Sequence, residues 1–318
     1  MTGIQWRSLK TDGIVSNEAC ANCGKQGSDT VKLMDCTACR LVKYCGAGCQ
    51  RAHRKEHEES CKQRAAELKD EQLYSQGLER TEGDFCPICT LAIPLPIQGH
   101  SIFNVCCMKR VCKGCVLAAR ARGMNDCPFC RTAHPGTAAE RLAMIRVRVK
   151  KKDPEATLFL GTKYHMGELG LQKDVRKGVE LYTEAAELGS IDAIYNLGCL
   201  YASGKWVEEN KAKGMQLWQK AAMRGHVEGR HNLGMNELES GNYDRAVKHN
   251  LIAAKMGHNR SVEKIKEMFM AGAATKEQYA EALRGYQDAV EGMKSHDWEE
   301  AKRWWKARPE VTMAFHLR

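Results

Sequence analysis

The sequence predicts a multidomain fold in which two small cysteine-rich modules are followed by an all-α helical-repeat solenoid. Fifteen of the sixteen cysteines lie between residues 20 and 130, mostly in closely spaced pairs. Beyond residue 153 a pattern of Leu-Gly and Ala-Ala dipeptides recurs, and Gly161, Gly198 and Gly234 are separated by 37 and 36 residues. A repeat of this length, with two helical patterns in each unit, is typical of a solenoid of paired helices.

The first cysteine cluster has the ligand pattern of two closed metal sites. Thiolates and imidazole are ligands that Zn²⁺ prefers, and four of them complete a tetrahedral structural site. His57 and Cys61 are four residues apart, which places them on one face of a helix. The composition of residues 50–68 favours that helix. The eight predicted ligands are Cys20, Cys23, Cys36, Cys39, Cys45, Cys49, His57 and Cys61.

This spacing, together with Tyr44-Cys45 and Cys49-Gln50-Arg51, resembles the MYND zinc finger over residues 20–61. The resemblance implies a finger in which the ligand pairs interleave, with two structural ions. By that pattern, one ion takes Cys20, Cys23, Cys45 and Cys49, and the other takes Cys36, Cys39, His57 and Cys61.

A second cysteine cluster follows a polar helical linker at residues 62–85. Its eight thiols are again enough for two ions. The ligands are Cys86, Cys89, Cys106, Cys107, Cys112, Cys115, Cys127 and Cys130. The pattern resembles an all-cysteine RING finger over residues 86–131. The cross-brace of that family implies one ion on Cys86, Cys89, Cys112 and Cys115, and the other on Cys106, Cys107, Cys127 and Cys130.

Two histidines near the clusters, His53 and His100, are further candidate ligands. Adjacent side chains of an extended chain point to opposite faces, so Cys106 and Cys107 reach one ion only if the backbone bends. His100 is the alternative to one of them, and we favour both cysteines. His53 lies four residues before His57, but the ligand set is already complete. We therefore expect His53 to be a solvated helix histidine.

Cysteine usage also predicts the compartment. Many thiols arranged for metal binding are typical of a reducing space, and Cys199 is the one cysteine outside the clusters. Residues 1–10 do not resemble a signal peptide. No run approaches the ~20 apolar residues of a membrane span. We expect an intracellular protein of the cytoplasm, the nucleus or both, with no membrane partner.

The formal net charge is +10, but four Zn²⁺ and fifteen thiolates would lower it by seven, to about +3. Much of the positive charge is local, because residues 131–152 hold seven Arg and Lys against Glu140. Such a run binds nucleic acid, acts as a nuclear import signal, or forms one solvated face of a helix. We favour the solvated helix for this basic linker, residues 132–152, and expect no nucleic-acid partner.

The solenoid begins at Asp153-Pro154, which predicts an N-cap followed by proline in the first helical turn. The Leu-Gly and Ala-Ala positions allow paired helices to pack closely. Gly189, Gly225 and Gly257 are predicted to end the second helix of each unit in a left-handed turn. The pattern resembles Sel1-like repeats, which are related to the tetratricopeptide solenoid. About three of them span residues 153–260.

Helical patterns continue after the repeats. Thr275 and Gln278 have the spacing of a capping box, and residues 261–308 are predicted to form capping helices. Trp298, Trp304 and Trp305 are expected to be packing residues. Residues 309–318 are predicted to be a tail without regular structure.

The sequence contains no recognisable catalytic motif. The zinc ions are expected to be structural, since a Zn²⁺ ion with four protein ligands has no open position for water. We therefore name no catalytic residue. The RING resemblance implies a ubiquitin ligase that docks a conjugating enzyme. By that resemblance Ile88 is the apolar contact, Pro128 a groove residue, and Arg131 the arginine that holds ubiquitin. Ala119 stands where the family often has a bulky aromatic residue, which predicts a shallower groove.

The other two modules imply protein partners. The MYND resemblance implies binding of proline-containing peptides, and the Sel1 resemblance implies a scaffold that binds peptides or domains. Two functions stay open. The chain is either a ubiquitin ligase whose other modules select substrates, or a non-catalytic adaptor with a RING-like fold.

Overall fold

The computed structural model describes residues 18–307, without the side chains of Lys302, Trp305 and Lys306. The chain forms two compact units, the first ending at Leu73 and the second beginning at Tyr74. Cysteine-rich fingers are followed by an all-helical repeat solenoid, so the predicted fold class is confirmed. The predicted tail, residues 309–318, lies outside the described residues. Among residues 18–307, no helix is both long and apolar enough to cross a membrane.

The first unit combines a short strand pair with two helices, the second of which ends just beyond the unit. Strand β1 (Met34–Asp35) pairs antiparallel with β2 (Lys43–Tyr44), and helices α1 (Ala47–Ala52) and α2 (Arg54–Ser75) follow. Its buried core consists of three predicted ligands and one tyrosine, namely Cys20, Cys36, Cys39 and Tyr44. So small an apolar core stabilises a fold of this size only together with metal coordination.

The second unit begins with the other finger. A short 3₁₀ turn (Glu82–Asp84) and α3 (Ile97–His100) precede the antiparallel hairpin of β3 (Ser101–Asn104) and β4 (Lys109–Cys112). Helix α4 (Lys113–Ala121) follows directly. The finger core again combines cysteines with a few aliphatic side chains, so the same dependence on metal applies.

The rest of the second unit is helical. The single helix α5 (Ala138–Lys150) precedes three helix pairs and a final group. The pairs are α6 (Pro154–Met166) with α7 (Val175–Glu187), α8 (Ile191–Ser203) with α9 (Lys211–Ala222), and α10 (Val227–Glu239) with α11 (Tyr243–Lys255). The final group is α12 (Asn259–Met270), α13 (Lys276–Gly292) and α14 (His296–Lys306).

Glycine allows close approach within the first two pairs. A Cβ atom on Gly178 would lie 3.0 Å from the carbonyl oxygen of Gly161, and one on Gly214 would lie 2.9 Å from that of Gly198. Such distances are too short for a side chain without a backbone shift. The predicted role of the Leu-Gly positions is therefore confirmed, because larger residues there would force the two helices apart.

The predicted helix ends are also confirmed. Gly189, Gly225 and Gly257 have φ values of 101°, 88° and 89°, in the left-handed region. The Asp153 side chain caps α6 by accepting from two backbone N–H groups, and the Thr275 capping box is present at α13. Each of these glycines ends one helix pair and begins the turn to the next pair. Consecutive pairs are therefore joined by turns of nearly the same backbone conformation.

Polar contacts link consecutive pairs at equivalent positions. His226, the N-cap of α10, accepts from the Gly229 N–H through Nδ1 at 3.0 Å, and its Nε2 lies 3.4 Å from Asp192 Oδ1. One pair further on, His258 Nε2 lies 3.2 Å from Glu228 Oε1. Burial raises the pKa of Asp192, but the hydrogen bond and charge of His226 outweigh it and keep that pKa below its ordinary value. The hydrogen bond from His258 lowers the pKa of Glu228.

The second finger shares a core with the first repeat. Val105 and Met108, in the hairpin turn, pack with Ile145 of α5 and Ala156 of α6. Phe103 of β3 stacks on Phe159 of α6 with ring centroids 4.8 Å apart. Finger, α5 and solenoid are therefore parts of one packed body.

The segment that leads into this finger lies against later helices. Arg230, in α10, is fully buried and donates from Nη2 to the Gln76 carbonyl oxygen at 2.6 Å. A Cβ atom on Gly77 would lie 2.0 Å from the Ala222 carbonyl oxygen, so the two backbones are in direct contact. Leu95 packs against Val227. The end of α9 and helix α10 thus hold residues 76–95 of the chain in place.

The last helix returns to the same finger. Trp298 of α14 is 7% exposed, which confirms its predicted packing role. Its ring lies 5.1 Å from that of His100, and a Cβ atom on Gly114 of α4 would lie 2.8 Å from the Trp298 backbone nitrogen. Glycine at 114 therefore allows α14 and α4 to cross in contact.

We predict that acid weakens the solenoid through its carboxylate–histidine contacts. A carboxylate with a lowered folded-state pKa stabilises the fold above its unfolded pKa of about 4, and this stability is lost as the pH falls through the lower folded value. Asp192→Asn should therefore flatten the decline in the urea midpoint on acidification below about pH 4, relative to wild type. The matched control is Asp288→Asn on the exposed face of α13. Zinc loss in acid affects all three proteins alike, so identical curves would contradict the prediction.

Candidate metal centres

Four of the cysteine pairs form the same tight turn. In each, the residue after the second cysteine donates its N–H to the carbonyl oxygen of the first, at 2.8–3.0 Å. These residues have left-handed backbone, and they are Gly24 (φ 70°), Arg40 (φ 56°), Thr90 (φ 60°) and Arg131 (φ 62°). The turn brings both thiols of a pair to the same side. Because left-handed backbone is unfavourable for the three non-glycine residues, tertiary interactions such as metal coordination must hold it.

The sixteen predicted ligands lie in four groups, and the ligand atoms within each group are all within 4.8 Å of one another. The groups are Cys20, Cys23, Cys45 and Cys49; Cys36, Cys39, His57 and Cys61; Cys86, Cys89, Cys112 and Cys115; and Cys106, Cys107, Cys127 and Cys130. Four thiolates, or three thiolates with one imidazole, suit tetrahedral Zn²⁺. The predicted cofactor, two zinc ions for each finger, is confirmed by these four groups. With all four positions filled by protein, each ion would brace the fold and leave no site for substrate.

The imidazole of the second group is oriented by a neighbour. His57 Nε2 lies 3.1 Å from Cys39 Sγ, and His57 Nδ1 lies 3.2 Å from Ser60 Oγ. The Ser60 hydroxyl donates to the His57 carbonyl oxygen, so the Nδ1–H can donate to Ser60. That tautomer leaves the Nε2 lone pair facing the thiols, as metal coordination requires.

The surroundings of Cys36 favour its thiolate form, whereas burial and the neighbouring cysteines raise the pKa of Cys61 to about 12. Burial raises the pKa of the Cys36 thiol, but hydrogen bonds from the backbone at Cys39 and Ala38 and from the His57 side chain outweigh it, and lower that pKa to about 6. Burial and the nearby thiolates raise the pKa of Tyr44 to about 12. The tyrosine therefore stays a neutral hydroxyl beside the metal group.

His53 differs from its prediction. The Tyr44 hydroxyl lies 3.1 Å from His53 Nδ1, and the His57 ring stacks on His53 at 5.8 Å. The side chain is 19% exposed, so the prediction of a solvated histidine is wrong. The reason is tertiary, because β2 brings Tyr44 against the helix. The sequence signal for the contact between the two histidines is their four-residue spacing, which places both rings on one face of the helix.

The adjacent cysteines both join the fourth group because the backbone bends between the strands of the hairpin. The Cys107 N–H donates to the Asn104 carbonyl oxygen at 3.2 Å, and Met108 has φ 53°. Cys106 then approaches Cys130, with the sulfurs 3.4 Å apart. His100 packs against Trp298 and lies outside the group.

One supporting residue was missed by the sequence interpretation. Arg148 belongs to the basic run, but its Nε donates to the Cys106 carbonyl oxygen at 3.0 Å. Its Nη1 also pairs with Asp153 Oδ2 at 2.6 Å. The side chain thus connects the fourth metal group, α5 and the N-cap of α6. Nothing in its sequence surroundings distinguishes it from the neighbouring cations.

The loops between the cysteine pairs present apolar side chains. Ile88 is 42% exposed, Pro128 is half-buried and Arg131 is exposed. Phe129, which the sequence interpretation did not single out, is 43% exposed. Ala119 is only 7% exposed, so it contributes little surface at the position where the RING resemblance predicts a shallower groove.

We predict that the two fingers differ in their effect on the solenoid. Cys36→Ala should lower the zinc content from four by one or two ions and leave the helical unfolding transition unchanged, because this ligand belongs to the other compact unit. Cys127→Ala should lower the unfolding midpoint by at least ~4 °C, or ~1–2 kcal/mol in a domain of this size. Its group braces the turn that packs with Ile145. Atomic emission and circular dichroism measure both quantities. Equal unfolding midpoints in the two variants would contradict a core shared by the second finger and the first repeat.

Comparisons with known proteins agree with this division of the chain. Residues 20–61 match the MYND finger family, and residues 154–190 and 191–226 match the Sel1 repeat. No curated protein matches the chain.

Solved structures of repeat proteins are also similar. A Sel1 repeat protein from Oxalobacter formigenes has 20% identity and a TM-score of 0.43, covering 56% of this chain and 71% of its own. The protective antigen c5321 of uropathogenic Escherichia coli, described as having an SLR fold, has 18% identity and a TM-score of 0.39, covering 59% and 44%. The immunity protein PA5088 from Pseudomonas aeruginosa has 16% identity and a TM-score of 0.30, covering 57% and 84%. The chain contains a MYND finger and Sel1 repeats, which generally mediate protein–protein interactions.

Proposed function

We propose that this chain is a protein-interaction scaffold that acts as a ubiquitin ligase, with the second finger recruiting a ubiquitin-conjugating enzyme. The observation that carries the proposal is the matched exposure of Ile88 and Phe129. Each is the third residue of a Cys-Pro-x-Cys turn, one in the first metal group of this finger and one in the second. Two exposed apolar side chains on metal-braced turns are an unusual use of surface in so small a module.

The surroundings of these turns support a docking role. Both turns are fixed by the backbone hydrogen bonds of the cysteine pairs, so a partner would lose little energy in ordering them. Arg131 follows the second turn, and its exposed guanidinium lies beside the Met124 side chain. A cation beside an apolar contact suits a partner that must be both bound and oriented.

The end of α9 and helix α10 already contact residues 76–95, and α6 packs against the second finger. In the ligase, the solenoid would therefore position the finger, and a substrate would bind to surfaces that the chain itself leaves exposed. One such position is Trp206, which is 60% exposed in the loop between α8 and α9. In the first unit, Met34 and Leu41 are 55% and 49% exposed, which suits the apolar contact of a proline-containing peptide.

The alternative is an adaptor that recruits no conjugating enzyme. The burial of Ala119 favours it, since the position where the RING family often carries a bulky aromatic residue offers little surface to a conjugating enzyme. The same apolar turns would then bind another protein. Ubiquitin transfer separates the two functions.

We predict that Ile88→Ala and Phe129→Ala each reduce ubiquitin transfer at least about fivefold, the effect of losing ~1 kcal/mol at a docking contact. The assay uses zinc-loaded full-length protein, activating enzyme and a broad panel of conjugating enzymes. Leu78→Ala and Phe269→Ala are matched controls, because both side chains are exposed outside the finger turns. Both control variants should transfer ubiquitin at the wild-type rate. Zinc content must remain at four in every variant.

Arg131 tests a different step. Arg131→Ala should slow transfer while the conjugating enzyme still binds, whereas Arg122→Ala, an exposed arginine outside the turn, should do neither. A wild-type protein that carries four zinc ions and transfers no ubiquitin with any conjugating enzyme would establish the adaptor instead.

A further inference from the structure

The positive charge of the chain is concentrated around the second finger and α5. Residues 86–152 contain twelve lysines and arginines but only two acidic residues, Asp126 and Glu140. Two zinc ions bound by eight thiolates would lower this excess of ten by four, leaving about +6. An excess of this size over a short segment creates a strong local field, even with metal bound.

Helix α5 presents part of this charge in a fixed orientation. Its inner face is held because Leu142 and Ile145 are buried and Arg148 is bonded to the finger backbone. Arg146 and Lys150 lie one turn apart on the exposed side. Packing of the inner face therefore sets the positions from which these cations project.

The exposed cations of α5 lack the partners that other helices provide. Lys294 pairs with Glu291 three residues away, and Lys177, Lys264 and Lys266 each pair with a glutamate at the same spacing. Within residues 18–307, no carboxylate lies in salt-bridge distance of Arg146, Lys150 or Lys151. Favourable interaction with the helix C-terminus explains one or two cations in the last turn. It does not explain three exposed cations at the C-terminal end of α5, where the like charges repel and the acidic residue of the helix, Glu140, lies in the first turn.

We propose that the outer face of α5, defined by Arg146, Lys150 and Lys151, binds the phosphate backbone of double-stranded DNA. This replaces the expectation from sequence that nucleic acid is not a partner. A rigid line of cations suits a polyanion, whose affinity comes from neutralised phosphates and released counterions. The major groove of B-form DNA admits an α-helix, while that of duplex RNA is too narrow for side chains to read.

Other anionic partners fit this face less well. Single strands are bound through stacked aromatic residues, and Phe129 is the only aromatic residue between positions 109 and 152. A membrane surface requires a broad apolar face, and the exposed large aliphatic residue on α5 is Val147. An acidic protein would need a cluster of apolar contacts at the centre of its interface, and Val147 is the one exposed large aliphatic residue that this face offers.

Binding to a duplex of about 20 base pairs, followed by fluorescence anisotropy between about 50 and 200 mM salt, tests the proposal. The triple variant R146Q/K150Q/K151Q should bind at least tenfold more weakly than wild type at the lower salt concentration. It should also reduce the slope of log affinity against log salt by nearly 3, since each phosphate contact contributes about 0.9. Glutamine keeps helix propensity close to that of lysine and arginine, and circular dichroism and zinc content verify the fold.

The control removes the same charge elsewhere. The triple variant K205Q/K211Q/K276Q changes exposed lysines of the solenoid and α13 and should bind DNA as wild type does. An equal loss of DNA affinity in the two triple variants would show that net charge alone determines binding, and would overturn the proposal. So would absence of DNA binding by wild type at about 50 mM salt. Tighter binding of wild type to duplex RNA, polyglutamate or anionic vesicles than to DNA would assign the face to that partner instead.

Discussion

Metal coordination in the second finger is the constraint on which the rest of the second unit depends. The finger has few aliphatic core residues, so its thiolates must hold the hairpin turn that carries Cys106 and Cys107. That turn also supplies Val105 and Met108 to the core of the first repeat. Zinc therefore acts beyond the finger itself, because the geometry of the turn determines what the first solenoid helices pack against.

Helix α10 of the solenoid contacts the segment that leads into the second finger. The buried guanidinium of Arg230 donates to the backbone of residue 76, and Leu95 packs on Val227. Because a buried guanidinium has lost its hydration, the hydrogen bonds from Nη2 to the carbonyl oxygens of Gln76 and Ala222 stabilise it and hold the entering segment in place. This part of α10 is therefore occupied by the chain itself. The finger turns, the loop that carries Trp206 and the outer side of α5 remain exposed.

Local patterns explain what the sequence could predict. Ligand spacing, the N-cap Asp153 and the glycines that end helices depend on residues a few positions apart, and each is present as expected. The failures depend on distant contacts. His53 is covered by Tyr44 across the finger, and Arg148 bonds a carbonyl group 42 residues away. No periodicity encodes such pairings, because any of several cations or histidines in the same run would satisfy the pattern equally well.

The same packing that holds the finger determines which of its surfaces stay available. The hairpin turn faces the first repeat, and Gly114 of α4 faces α14. The turns carrying Ile88 and Phe129 remain exposed, and so does the outer side of α5. These surfaces lie on elements that are braced from behind by metal groups or buried side chains. A partner therefore meets a rigid surface, and little of its binding energy is spent on ordering the scaffold. Rigidity of this kind is what a scaffold requires, because it keeps one bound partner in a constant position relative to another.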